Sequence, residues 1–169
     1  TPETSSSGLY FAEYDGTQPL RSERVYYGDP DDMPHVQVTP TAIITLWEAF
    51  LLGDYLIEFG HFDPVSWAET HNAPTRLDRG RGTARNPVSA LAKDPTGQPT
   101  RLAVFWTDER TGDQRVYYRP LHFEAGSWRT TALDRSFFPE RLNVSSPQAA
   151  AIEGTFAVVA RDTDTNDDD

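Results

Sequence analysis

A chain of 169 residues, 37% hydrophobic and 12% aromatic, suits one domain whose core leans on Trp, Tyr and Phe. Fifteen basic against 26 acidic residues give a net charge of −11, which argues against nucleic acid and anionic membranes as partners, both being polyanions. With no cysteine, disulfide frameworks, thiolate metal sites and thiol nucleophiles are excluded.

The chain opens on TPETSSSG, small and polar, which reads as a flexible lead-in of a processed or trimmed product. Strand signals then dominate. GLYFAEY, SERVYYG, HVQV, AIITLW, DYLIEF, RLAVFW, QRVYYR, SWRTTAL and GTFAVVA are short β-branched and aromatic runs, punctuated by Gly, Pro, Asp and Asn. ITLWEAFLL (44–52) could alternatively make two helical turns, with Leu46, Phe50 and Leu51 on one side. Residues 73–100 are rich in Pro, Gly, Thr and Arg and read as a long loop, interrupted at most by a short strand VSAL. Residues 162–169, DTDTNDDD, read as an acidic, solvated tail behind a single β domain over 1–161. No apolar run approaches the roughly 18 residues of a membrane span.

Lys93 is the one lysine, and every other basic residue is arginine. Scarce Lys, abundant Asp and a negative surface suit a salt-adapted organism or its virus, because acidic surfaces keep their hydration where salt screens charge. A GC-rich genome, which also favours Arg over Lys, is the alternative. Asn143-Val144-Ser145 is a glycosylation sequon, compatible with an extracellular or virion-surface location in high salt.

A repeat runs through this pattern. Trp47 and Trp106 each end an apolar run; six and seven residues later come Gly53-Asp54 and Gly112-Asp113. Each Gly-Asp opens an alternating strand, and each strand leads to a Ser-Trp pair, Ser66-Trp67 or Ser127-Trp128. Pro34 lies 13 residues before Trp47, and Pro147 lies 13 before Ala160. Pro87 leads to Trp106 by a longer path. A proline followed by two apolar strands therefore occurs three times.

The stretch from Pro87 to Trp128 resembles one blade of a sialidase-type β-propeller, the bacterial neuraminidase repeat. Trp106-Thr107-Asp108, Gly112-Asp113, Val116-Tyr117-Tyr118 and Gly126-Ser127-Trp128 carry the resemblance. The Asp-box turn is degenerate, with Glu124 in place of Asp, and the unit over 34–67 keeps only Asp63 and Trp67 around that turn. The resemblance implies four-stranded blades stacked face to face. Propellers need at least four blades of about 40–50 residues, so this chain's two units and a fragment would be completed by oligomerisation. A single jelly roll or β-sandwich is the alternative, and either fold is all-β.

Candidate chemistry is sparse. A sialidase-type site would need an arginine cluster, a tyrosine nucleophile and acidic partners. Tyr117, Tyr118, Arg115, Arg119 and Glu109 supply the types, but on one hairpin, where cross-strand packing is the stronger explanation and no catalytic residue is assigned. His61 and His122 occupy corresponding turns and read either as ligand contacts or as turn caps. RLDRGRGTAR (76–85) is the one basic patch, able to grip an anion or an acidic neighbour. Asp162, Asp164 and Asn166 have the spacing that begins a calcium loop, although its glycine and distal glutamate are missing. The expected cofactor is none, with calcium or another cation as the alternative. Aromatic faces beside polar groups suit sugar rings, so Trp67, Trp128, Tyr117, Arg119 and His122 are the candidate ligand contacts, with core packing as the competing explanation for the aromatics.

The sequence thus leads to a non-enzymatic, self-associating β protein that binds copies of itself and a glycan or surface partner. A coat or spike subunit is the second reading, and a fragment of a sialidase-type hydrolase the third.

Overall fold

The computed structural model describes residues 8–26, 30–51, 53–70, 75–78, 83–95, 99–124, 127–130, 133–138, 143–152 and 155–162. These residues hold thirteen strands and no helix. They form four small sheets rather than the two of a sandwich. A hairpin, β1 (Leu9–Tyr14) with β2 (Pro19–Tyr26), comes first. A four-stranded antiparallel meander follows: β3 (Pro30–Val38), β4 (Ile43–Leu51), β5 (Asp54–Phe62) and β6 (Thr75–Arg76). The second meander runs β7 (Ala84–Lys93), β8 (Pro99–Asp108), β9 (Arg115–Glu124) and β10 (Ser127–Arg129), with β11 (Arg135–Ser136) also pairing with β9. Another hairpin, β12 (Val144–Ile152) with β13 (Thr155–Asp162), comes last.

Two sequence expectations are corrected. The segment 44–52, read as a possible helix, contributes to β4, whose residues Ile43 to Ala49 are all buried. A strand covered on both faces loses the polar alternation that would mark it. The expected long loop over 73–100 instead holds all of β7 and the start of β8, with VSAL as the middle of a ten-residue strand.

The repeat is a repeat of structure. The residue after each proline pairs with the residue before each Trp or its counterpart: His35 with Leu46, Val88 with Phe105, Gln148 with Val159. Register breaks fall at each proline, between Asp32 and His35, Arg85 and Val88, and Ser145 and Gln148. Proline cannot donate to the ladder, so a bulge is where a strand tolerates it. Gly53 and Gly112 both take positive φ (95° and 91°) in the hairpins after β4 and β8, a backbone that side chains other than glycine adopt only with strain.

The sheets stack face to face. Ile44, Leu46, Ile57 and Phe59 of the first meander meet Leu102, Val104, Trp106, Tyr117, Leu121 and Trp128 of the second. On the other face of the second meander, Ala103, Phe105 and Val116 meet Val144, Ala149, Phe156 and Val158 of the last hairpin. The first hairpin covers part of the first meander, where Leu9 and Val25 pack with Trp47 and Ala49. Its Arg21 locks the contact: the guanidinium lies 3.8 Å from the centroid of the Trp67 ring and donates to the carbonyls of Val65 and Ser66. The stack therefore runs hairpin, meander, meander, hairpin, each layer burying what a lone sheet could not.

Candidate functional site

The first strands of three successive layers, β3, β7 and β12, bring their proline bulges together. Pro34, His35, Asn86, Pro87, Ser146 and Pro147 line one small depression of about 260 Å³. Asn86 and Ser146, each just before its proline, sit in the left-handed region at φ 54° and 50°. Both conformations are held by the layer before. The Asn86 N–H donates to Glu48 Oε1 at 2.6 Å, and the Ser146 N–H donates to Thr107 Oγ1 at 3.0 Å. Glu48 follows Trp47 and Thr107 follows Trp106, so the same position of each unit anchors the bulge of the next. Gln37 Nε2 adds a bond to the Ser89 carbonyl at 3.1 Å. Burial holds His35 below its ordinary imidazole pKa, opposed by a hydrogen bond with the Ser89 backbone.

A larger groove of about 620 Å³ opens beside this rim. Gly8 and residues 9–13 of β1 form one wall; Val36, Val38, Ile43 and Thr45 of β3 and β4 form the floor. It is mainly apolar, and Val36, Val38 and Tyr10 are exposed along it. Among the described residues β1 pairs with β2 alone, which leaves its other edge open. An open strand edge over an apolar floor can accept an added strand by backbone hydrogen bonding.

The residues expected to bind ligand lie elsewhere. Trp67 is buried at the turn after β5, with its ring against Phe11 and Arg21. That turn is built by Asp63, whose carboxylate accepts from the backbone N–H groups of Ser66 and Val65 and from the Ser66 hydroxyl. These bonds hold its pKa below the ordinary value. Trp128 is buried against Phe123 in the core between the two meanders. Tyr117 is buried and stacked on Trp106. Arg119 is buried, and His122 alone of the five is exposed. Asp162 ends β13 on the exposed surface, while Asp164 and Asn166 lie outside the described residues, as do Arg79 to Gly82 of the basic patch. Among the described residues no cluster of three or more His, Asp or Glu is placed to hold a metal ion.

At the tip of the β8–β9 hairpin Glu109 is exposed, but Asp108 and Arg110 are drawn inward. Asp108 is buried and accepts from Trp106 Nε1 at 3.2 Å and from the Arg110 backbone at 2.8 Å. Arg110 folds back over Tyr117 and bridges Asp108 to Asp134. Asp134 also takes Arg119 Nη2 at 2.7 Å. Two carboxylates and two guanidiniums thus neutralise one another. Burial works against the charge on Arg110, but its hydrogen bonds to the two aspartates outweigh that and raise its pKa.

Comparison with known proteins gave no match: no family model, no curated protein and no solved structure matches this chain. Among the described residues no helix is long and apolar enough to cross a membrane. The groove and the rim were missed as sites in the sequence. Their signal was present in the three prolines and in the alternation of HVQV, whose Val36 and Val38 stay exposed.

Proposed function

We propose that this is a non-enzymatic, self-associating β protein whose layers are propeller-type blades, completed when copies join. One observation carries the reading. Among the described residues the two middle layers are meanders of four or more strands, whereas both outer layers are two-stranded hairpins that leave apolar surface uncovered. Isolated two-stranded ribbons are marginal in water, and an unfinished layer gains most from a partner. The non-enzymatic part is supported by the way the charges are used. Asp108, Arg110, Arg119 and Asp134 satisfy each other inside the fold instead of converging on the groove. The glycan side of the sequence expectation has less beneath it, since Trp67 and Trp128 are buried. The surface partner favoured is a further copy of the chain.

A net charge of −11 makes copies repel, and salt screens that repulsion. Oligomeric mass measured by light scattering from low to molar salt is the test. The expected result is a small closed assembly that strengthens with salt. A monomer throughout would end this reading, and large symmetric particles would favour a coat subunit.

A further inference from the structure

Every layer has a back face and a forward face; among the described residues the back face of the first meander is covered by the first hairpin only in part, and the forward face of the last hairpin is left bare. Leu102, Val104 and Trp106 look back onto the first meander, while Ala103 and Phe105 look forward onto the last hairpin. Counting two and four residues on from each proline gives Val36, Ser89 and Ala149, then Val38, Leu91 and Ala151, all on back faces. Ser89 is buried and Leu91, Ala149 and Ala151 are partly buried, but Val36 is 54% and Val38 64% exposed. The forward faces show the mirror of this. Leu46 and Phe105, one residue before Trp, are 0% and 1% exposed, whereas Val159, one before Ala160, is 71% exposed. Ile152 on the same face of the last hairpin is also exposed.

The two uncovered faces are of the kinds that already meet twice within the chain. Their edges fit as well. In both meanders the second strand pairs with a third, β4 with β5 and β8 with β9. Among the described residues β13 is a second strand without a third, and β1 is a strand with one open edge along the wall of the groove.

We infer that the β12–β13 hairpin of one copy seats in the β1–β3 groove of the next, laying Val159 and Ile152 over Val36 and Val38, with β13 hydrogen-bonded along β1. This rests on the self-association proposed above and names its contact. The shared layer then has four strands, two from each copy. The contact is head-to-tail, so copies close into a ring where the rotation permits. At this junction Arg161 stands where Glu48 and Thr107 accept the next bulge, so the join lacks that hydrogen bond and rests on apolar cover and strand pairing.

Two substitutions at exposed positions test it, Val159→Asp on the hairpin and Val38→Asp on the groove floor. Each buries an unpaired carboxylate at the junction and should weaken association by roughly 10–100-fold. Each variant alone is expected to be monomeric where the unsubstituted chain assembles. An equimolar mixture should form a 1:1 pair and nothing larger, because one intact junction remains. If the unsubstituted chain assembles and either variant assembles equally well, or the mixture stays monomeric, this contact is wrong while self-association stands. A chain that never assembles removes both. Hydrogen exchange of the unsubstituted chain adds a check free of any folding defect. Amides of β1 and β13 should slow by about tenfold or more on assembly, and unchanged exchange there overturns the assignment.

Discussion

Asp134 is the keystone of the buried charge cluster, and its removal should be expensive. Arg119 is 1% exposed, and Asp134 is its ion-pair partner. Arg110 loses one carboxylate in Asp134→Ala but keeps Asp108. The cost is therefore set by Arg119, a guanidinium left buried without its counter-charge, and is about 3–5 kcal/mol. That is a large share of the ~5–15 kcal/mol that holds a typical domain together. Asp134→Asn keeps an acceptor and removes only the charge, so it should cost less, roughly 1.5–3 kcal/mol. The pH dependence has a definite sign. Burial works to raise the Asp134 pKa, but hydrogen bonds from Arg110 and Arg119 outweigh it and hold the carboxyl below its ordinary value of 3.8. A group depressed on folding contributes fully above its unfolded pKa and loses that contribution as pH falls through the folded one. The gap between the unsubstituted chain and Asp134→Asn should stay level from neutral pH to about 4 and close below it. Urea unfolding at fixed salt, followed by Trp106 and Trp128 fluorescence, reads both effects. A loss under about 1 kcal/mol for Asp134→Ala, the range of an exposed pair, would refute the reasoning, as would a gap that does not narrow in acid.

Two further substitutions probe the packing. A Cβ at Gly60 would stand 2.6 Å from the Phe62 ring, 2.8 Å from Thr45 Oγ1 and 3.0 Å from Trp47 Cζ3. Gly60→Ala should therefore cost about 1–3 kcal/mol by overpacking, seen as a lower urea midpoint. Trp128→Ala should lose about 3–5 kcal/mol as a core truncation, against a change within about 0.5 kcal/mol for the exposed His122→Ala. Equal and small losses at both positions would return Trp128 to the surface.

Much of the order in the fold was legible because it is carried by residues with little conformational choice. Pro34, Pro87 and Pro147 mark three bulges, and Gly53 and Gly112 mark two hairpins. Trp47 and Trp106 mark the central strands between them. What escaped is what depends on the neighbouring layer. In β7, covered partly on both faces, small residues replace a clear alternation, and Asn86-Pro87 looks like loop punctuation although it lies inside a strand. The charges of Asp108 and Arg110 look solvated until Asp134, 24 residues beyond Arg110, is brought against them. The candidate groove was hidden for a related reason: HVQV reads only as a short strand, and the stacking shows that nothing within the described chain covers Val36 and Val38.

The proline bulges also constrain how this protein can go wrong. β3, β7 and β12 each lie at the border of their sheet, three strand edges side by side along one flank. Such a row would ordinarily template indiscriminate aggregation. Each edge is interrupted by a residue with no amide proton, and the amides of Asn86 and Ser146 are already spent on Glu48 and Thr107. The flank is thereby a poor partner for foreign strands, whereas β1 and β13 contain no proline. Growth is directed along the stacking axis, and an acidic protein can stay receptive at its ends without becoming adhesive along its side.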